Sequence, residues 1–532
     1  MFIIFYSYMS NMNPLIFIIL FAVFAVRAIP RLIIKNCSAS DSFYHLHCAR
    51  IIRKNRFKIP EKFPNLILDH TYNYPFLYHF ILALFPFEKQ RETAERFTGA
   101  VLDSIYVFFC YIFADYYCSE ILKLENSQIP LFYAFLTGMS PVFLRIGFGP
   151  RAFNGSPRIL GQILYFIHFA SFNIWLFNGN TFFLAAAVFS CALLFISAKF
   201  SVQVLIFYAL VFVCVTLNYR YIFIILLSFL ISNIITLGRT FKVFAGQINH
   251  SIFYCKYLQK KYLFENAIVF NTLKNYLKNA SIAFELFLKS GKINAFINWF
   301  TGEQYFLHLL FTVFPHIILV IYFYEIKDFL YIWALSGFIF YLLTKTKYLL
   351  FLGEGERYIE YSIPASLLIF VIIFSKINFG IFLLIILCSL YLLLAVYYSV
   401  RYITRYLNVE RTAEADREIF SKLNELPDGN IMQINSIYWS IFYYVNKKLL
   451  FYSGNFEEKY ISKSEFDLLF SKFPCHSGRF ADLVKQYSIK YIAVRNEELD
   501  KYLTNTIDNK ESFYNMTELV VKNFRMAIYK VK

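Results

Sequence analysis

The sequence predicts an α-helical polytopic membrane protein that ends in a small soluble α/β domain. Of its 532 residues, 58% are hydrophobic and only 16% charged, where soluble domains carry about 25% charged residues. Several apolar runs reach the roughly 17 to 25 residues that a helix needs to cross a bilayer, and the alternating ten-residue pattern of a membrane barrel is missing. Beyond Arg401 the composition turns polar.

Apolar runs between charges place spans near 12–29, 97–117, 130–146, 158–177, 181–198, 201–217, 220–237, 304–324, 328–344, 363–375 and 377–399, about eleven by hydropathy. The first run lacks a basic region before it and a small-residue cleavage site after it, so it reads as a retained span. An odd count puts the loops 30–96, 147–157, 238–303 and 345–362 and the tail on one crowded face, whereas loops such as 178–180 are minimal. In 30–96 and 238–303, cations alternate with Phe, Tyr and Leu at near-helical spacing, which predicts interfacial helices. Two domains result: a membrane domain over 1–400 and a soluble α/β domain over 401–532. The second contains a charged helix, "RTAEADREIFSKLNEL", and short strands at "NIMQI", "KLLFYSG", "KYIAVRN" and "MAIYKV".

Nine scattered cysteines without CxxC spacing indicate neither a disulfide framework nor a zinc site. A net charge of +17 would suit nucleic acid in a soluble protein. In a membrane chain it suits anionic headgroups and phosphate-bearing lipids instead. The cations of the first loop, Arg31 to Lys62, vote for a cytoplasmic crowded face. Sequons at Asn36, Asn154, Asn249, Asn279 and Asn515 all fall on that same face and permit a lumenal location.

Four constellations carry chemistry. In "SASDSFYHLHCARIIRKN", Ser40 is a helix cap that puts Asp41 in the first turn, where the macrodipole favours a carboxylate. Asp41, His45 and Cys48 share one face by their spacing, and His47, Arg50 and Lys54 share another. Such an acid can take a proton from an incoming hydroxyl or amine, or can merely cap an interfacial helix. The second stretch, "LDHTYNYPFLYHF", holds Asp69, His70, Tyr72, Tyr74 and His79, but no HxH, HExxH or DxD spacing suited to a metal on one helix face. The third, "LRIGFGPRAFNGSPRILGQ", sets Arg145, Arg151 and Arg158 in a loop without an acid, which suits either a phosphate clamp or snorkelling anchors. The fourth, "FLGEGERYIEYSIPASL", crowds Glu354, Glu356, Arg357, Tyr358, Glu360 and Tyr361 before a span; Arg357 paired with Glu360 or Glu354 is its structural reading.

In their order along the chain these pieces resemble the GT-C superfamily of integral membrane glycosyltransferases, of the aminoarabinose-transferase and protein O-mannosyltransferase type. The resemblance rests on the acid in "SDSFYHLHCARI", the proline-containing "YPFLYHFILALFP", the late "GERYIEYSIPA" and the polar tail. It implies a polyprenyl-phosphate-sugar donor, a saccharide, lipid or protein acceptor, an extracytoplasmic active face and inversion at the anomeric carbon. By the same resemblance Asp41 is the general base, and Arg151, Arg158 and Arg357 hold the phosphate. His45, Asp69, His70, Tyr74, Glu356 and Tyr361 are further candidates to touch substrate. No DxD or ExD stands in the loop 147–157, which favours a metal-independent enzyme that moves single sugars and needs no cofactor. Competing readings are a flippase for lipid-linked sugars, an O-antigen-type polymerase and a noncatalytic assembly protein. A flippase predicts inverted repeats and mid-span charges, and neither stands out in the sequence.

Overall fold

The computed structural model describes residues 12–36, 40–68, 71–124, 126, 128–144, 152–253, 255–256, 281–282, 284–285, 287–289, 315–316, 329–344, 349, 352–353, 355–434, 439–450, 463–470, 480–505 and 510–532. Its helices, in chain order, begin with α1 (Leu15–Ile33), α2 (Ser40–Lys54), α3 (Leu77–Ala83) and α4 (Glu88–Tyr116), the last ending in a π-turn. Then come α5 (Ile129–Gly138), α6 (Pro141–Leu144), α7 (Pro157–Asn178), α8 (Thr181–Leu194), α9 (Lys199–Thr216), α10 (Arg220–Ile235) and α11 (Arg239–Phe253). After these follow α12 (Phe329–Thr344), α13 (Gly355–Ser375), α14 (Gly380–Glu425), β1 (Asn430–Gln433), α15 (Trp439–Tyr444) and β2 (Leu449–Leu450). The chain closes with α16 (Lys463–Phe470), α17 (Phe480–Gln486), β3 (Ile489–Arg495), α18 (Asn496–Asn505), α19 (Lys510–Met516), β4 (Thr517–Lys522) and β5 (Met526–Val531).

Among the described residues six helices are long and apolar enough to cross a membrane: α1, α4, α7, α9, α13 and α14. Shorter apolar helices stand where further spans are expected, at Ile129–Leu144, Thr181–Leu194 and Phe329–Thr344, and α10 covers the expected 220–237. The expected span 304–324 lies outside the described residues apart from positions 315–316. The protein is therefore an integral membrane protein, as its composition predicts. Two boundaries differ from expectation. Residues 355–362, expected in a loop, form the first turns of α13, which carries Pro364 in its interior. The expected break at 400/401 is also missing, because α14 continues unbroken through "RTAEADREIFSKLNE".

The chain divides into two compact units. One comprises Met1–Ile33, Arg96–Thr240 and Asn266–Ile403; the other comprises Ile34–Glu95, Phe241–Glu265 and Thr404–Lys532. In the first, glycines let helices approach closely. A Cβ on Gly161 of α7 would meet Ser201 Oγ of α9 at 2.0 Å, and one on Gly337 of α12 would meet Ser362 Oγ of α13 at 1.9 Å. Small residues at such crossings are how membrane helices gain packing where no hydrophobic force pulls them together.

The second unit is built on a five-stranded sheet of order β2-β1-β3-β5-β4. Strand β1 runs parallel to β2 and β3, and β5 runs antiparallel to β3 and β4. Central β3, "IKYIAVR", is buried along most of its length, as a strand covered on both faces requires. The first loop belongs to this sheet. Leu66 pairs in parallel with Leu449, the Ile67 N–H donates to the Leu449 carbonyl at 3.0 Å, and the Leu449 N–H donates to the Asn65 carbonyl at 2.9 Å. Leu68 of that loop and Phe253 of α11 complete a core with Met432, Leu450, Ile492 and Phe513. Strand β4, "TELVVK", was not foreseen by alternation. It forms because Asn523 Oδ1 accepts the N–H groups of Arg525 and Met526, both at 2.9 Å, and so turns the chain back into β5. In α11, Phe241, Ile248 and Ile252 lie exposed along one side, the stripe expected of an interfacial helix.

Candidate active site

In the second unit, Asp41 lies exposed in the first turn of α2. The chain just before it is tied down: the Asn36 N–H donates to Glu410 Oε2 at 2.8 Å, and Arg417 donates to Asn36 Oδ1. His45 and Cys48 do share their helix face with Asp41, which stands at the exposed end of that face. Both are buried, His45 at 4% exposure and Cys48 at 0%, and they face the interior of the unit.

His45 Nδ1 lies 2.8 Å from His79 Nε2, and the Tyr72 hydroxyl meets His79 Nδ1. A neutral imidazole has one donor and one acceptor nitrogen, so the chain of bonds runs in a single sense from Tyr72 through His79 to His45, or back. Burial lowers the His45 pKa to about 3, and it holds His79 well below the usual histidine range, helped by the neighbouring His45. Both rings are therefore neutral near pH 7. Tyr74, half-buried, stacks on His79 at 5.6 Å. His47 is fixed independently: its Nε2 donates to Asn65 Oδ1 at 3.1 Å and its Nδ1 accepts from Arg50 at 3.0 Å. Arg50 in turn sits 4.7 Å over the Tyr443 ring of α15 and donates to the Tyr443 carbonyl. Thus the histidines hold the Asp41 helix to its unit.

The first unit contains the second group of polar residues. Ser156 caps α7, accepting the Arg158 N–H at 3.2 Å, with Pro157 in the first turn. Arg158 Nε then lies 3.7 Å from Glu360 Oε2, and Gln162 Nε2, one turn on, donates to the same oxygen at 3.0 Å. Glu360 is 3% exposed and Gln162 1%. Its partners are on α7, so the expected pairing of Glu360 with Arg357 is replaced. Arg357 instead places its guanidinium 5.6 Å from the Phe200 ring centre. Tyr361 shares a 2.5 Å hydrogen bond with Ser201, and its carbonyl accepts from Trp333 Nε1 at 2.8 Å. Glu356 is buried at 3% in the first turn of α13. Pro364 withholds the N–H that would bond the Glu360 carbonyl, which loosens the helix where the charges sit. Arg145, Arg151, Glu354, Asp69 and His70 lie outside the described residues.

A further cluster escaped the sequence reading. Arg27 donates to Asp103 Oδ2 at 2.5 Å and to the Gly138 carbonyl at 2.7 Å, joining α1, α4 and α5. Arg31 reaches the Tyr402 hydroxyl at 3.2 Å, which lies 3.4 Å from Asn154 Oδ1. All four of Arg27, Arg31, Asp103 and Asn154 are at most 1% exposed. The signal was present: a charge inside an apolar run is a functional or pairing site by default. Burial also removes Asn154 as a glycan acceptor in the folded chain. An apolar cavity of about 390 Å³, lined by Phe108, Phe113, Phe166 and Phe183, opens near Asn178, at the end of α7 away from Arg158. Among the described residues no three His, Cys, Asp or Glu side chains come together as a metal site.

No protein-family model matches the sequence, and no curated protein sequence does so significantly. Solved structures do match. An oligosaccharyltransferase from Archaeoglobus fulgidus, solved with zinc and sulfate, is 12% identical with a TM-score of 0.55, over 97% of this chain and 73% of its own. The archaeal oligosaccharyltransferase AglB from the same organism, bound to an inhibitory peptide and a dolichol-phosphate, is 12% identical with a TM-score of 0.54, over 92% of this chain and 70% of its own. ArnT from Cupriavidus metallidurans, bound to undecaprenyl phosphate, is 10% identical with a TM-score of 0.52, over 97% of this chain and 96% of its own. The chain therefore has the fold of the GT-C glycosyltransferases.

Proposed function

We propose that the protein is a membrane glycosyltransferase that moves a sugar from a polyprenyl-phosphate-linked donor to an acceptor on the extracytoplasmic face, with inversion. The observation that carries this reading is the fold it shares, end to end, with a transferase that binds undecaprenyl phosphate. The acceptor oxygen or nitrogen attacks the anomeric carbon as the bond from that carbon to the phosphate oxygen breaks. Asp41, exposed at the start of α2, takes the acceptor's proton. The leaving lipid phosphate gains a negative charge, and Arg158 and Arg357, both partly buried, are the described cations assigned to meet it. Arg151 is assigned the same role on the sequence resemblance alone. No cofactor is required, and the reading takes the reaction to be independent of divalent metal.

Asp41→Asn tests it, with labelled donor lipid supplied to membranes and stability followed alongside. Loss of a general base costs about 100-fold or more in turnover, whereas loss of a first-turn carboxylate costs at most about 1 kcal/mol of stability. Transfer at the wild-type rate by the variant would overturn Asp41 as base. Failure of the wild type to use any polyprenyl-phosphate sugar would overturn the activity itself. Transfer that survives EDTA is expected, and its abolition with rescue by manganese or magnesium would move the enzyme to the metal-dependent type.

A further inference from the structure

We infer that the apolar cavity between α4, α7 and α8 binds one acyl chain of a glycerophospholipid, in the leaflet opposite Arg158, with Ser171 donating to the lipid's ester carbonyl. The site is separate from the proposed reaction and stands whether or not that reading holds.

The three helices belong to the first unit. Their cavity, about 390 Å³, is walled by Phe108, Phe113, Phe166 and Phe183. A space lined this way stays dry, and what a bilayer offers to fill it is hydrocarbon. Phe182, also on the wall, is exposed on the surface of the unit, so surrounding lipid reaches the cavity.

Two hydroxyls turn this from a greasy gap into a site for a polar lipid. Ser171 lines the cavity and is only 8% exposed, yet among the described residues its hydroxyl has no hydrogen-bond partner. Ser190, Ser228 and Ser336, in helices just as apolar, donate back to the carbonyl four residues earlier, the usual outlet for a helical serine. Ser171 keeps its donor for an acceptor inside the cavity, where leaving it unmade is costly. At the rim, Asn178 Nδ2 donates to the Tyr116 hydroxyl at 2.9 Å, so the Tyr116 O–H remains to donate to a glycerol or phosphate oxygen.

Depth selects the lipid class. Ser171 lies two helical turns inside Asn178, about 10 Å, with Trp175 one turn nearer the end of α7, as in the aromatic belt of a membrane interface. The polar layer of a bilayer is about 5 to 8 Å thick on each side, so Ser171 stands close to the level where ester carbonyls give way to hydrocarbon. A polyprenyl phosphate has no ester for Ser171 to bind. Its phosphate would also start from the other leaflet, since α7, 22 residues long, places its ends about 33 Å apart.

The test takes purified full-length protein in detergent, stripped of lipid and titrated with phosphatidylcholine that carries a diazirine in one acyl chain. After illumination, labelled peptides are mapped by mass spectrometry, with monodisperse elution as the criterion of folding. Saturable labelling around Phe108–Tyr116 and Phe166–Ile174 is expected, removed by excess unlabelled phosphatidylcholine. Ala186→Phe, which fills the cavity from α8, should abolish it. Ser171→Ala should weaken the affinity about fivefold, as loss of one hydrogen bond does; should Ala186→Phe fail to fold, Ser171→Ala and the competition still decide. Labelling no stronger there than at exposed Phe223 and Leu226 of α10 would signify ordinary surrounding lipid and overturn the site. Wild-type affinity in Ser171→Ala would overturn the ester contact. Displacement by decaprenyl phosphate at lower concentration than by phosphatidylcholine would hand the cavity to a polyprenyl chain and overturn the phospholipid assignment.

Discussion

The polar networks around the candidate site residues differ between the two units, although the membrane-embedded unit also buries His168 and His316 and the other unit also buries Arg91 and Glu95. The membrane-embedded unit buries charges in opposite pairs, Arg27 with Asp103 and Arg158 with Glu360. The unit made from the first loop and the tail buries neutral imidazoles, His45, His47 and His79, joined to one another or to Asn65 and Tyr72. The comparison teaches where each is vulnerable. A buried paired charge fails badly when one partner is removed. A buried neutral histidine tolerates neighbours well but is exposed to acid, because its unfolded form takes up a proton that the folded form refuses.

The largest expected effect breaks the charged side of the comparison. Arg27→Met leaves Asp103 buried without its ion pair and should destabilise the helical unit by about 3 to 5 kcal/mol. The double variant Arg27→Met with Asp103→Leu should recover most of that loss. Thermal unfolding in detergent, followed through the helical signal, reads both, and equal damage from single and double variants would show that the charges do not act as a pair.

On the neutral side, His79→Phe keeps a ring in place but removes the partner shared by His45 and Tyr72. The cost should be about 1 to 3 kcal/mol, seen as faster hydrogen exchange across residues 40–54 with little change in α7 or α13. Exchange that rises equally in both regions would deny that this bond chain is local to its unit.

A pH titration sharpens the contrast further. In the unfolded chain a histidine binds a proton below about pH 6.5, while burial keeps His45 neutral to about pH 3 and holds His47 and His79 down as well. Depressed folded values mean stability that is complete above about pH 6.5 and is lost as pH falls toward the folded pKa. Each histidine should cost about 1.4 kcal/mol per pH unit over that interval. Hydrogen exchange at pH 7.5 and 5.5 should therefore loosen α2 selectively, and His79→Phe should flatten the slope. The smallest effect is expected outside both networks: Leu519→Thr, on the exposed side of edge strand β4, should stay within about 0.5 kcal/mol of the parent by thermal unfolding.

How far the candidate site was legible differs residue by residue. The acid of "SDSFYHLHCARI" could be placed in a first helical turn, because capping and macrodipole effects act within a few residues. That Asp41 stays exposed while His45, four residues on, is buried could not be read, since helical spacing gives a shared face and not what packs against it. Likewise "GERYIEYS" stood out as too charged to be filler, but the partner of Glu360 proved to be on α7, with Gln162 lying 198 positions earlier. Arg27 was passed over inside a strongly apolar run, and its acid lies 76 positions away.

By itself the sequence determined the membrane class, most span positions, the turn to polar composition after Arg401 and four of the five strands. Each of these depends on hydropathy or alternation over a window of neighbouring residues, and such signals are local. Only the tertiary structure decided that residues 34–95 share a core and a sheet edge with the tail, that the tail's first helix continues the last span, and that the buried charges pair as they do. Those outcomes depend on which groups meet after the chain has folded. Desolvation then selects the partners, because a buried charge or strand edge that finds none costs more than the fold can spare.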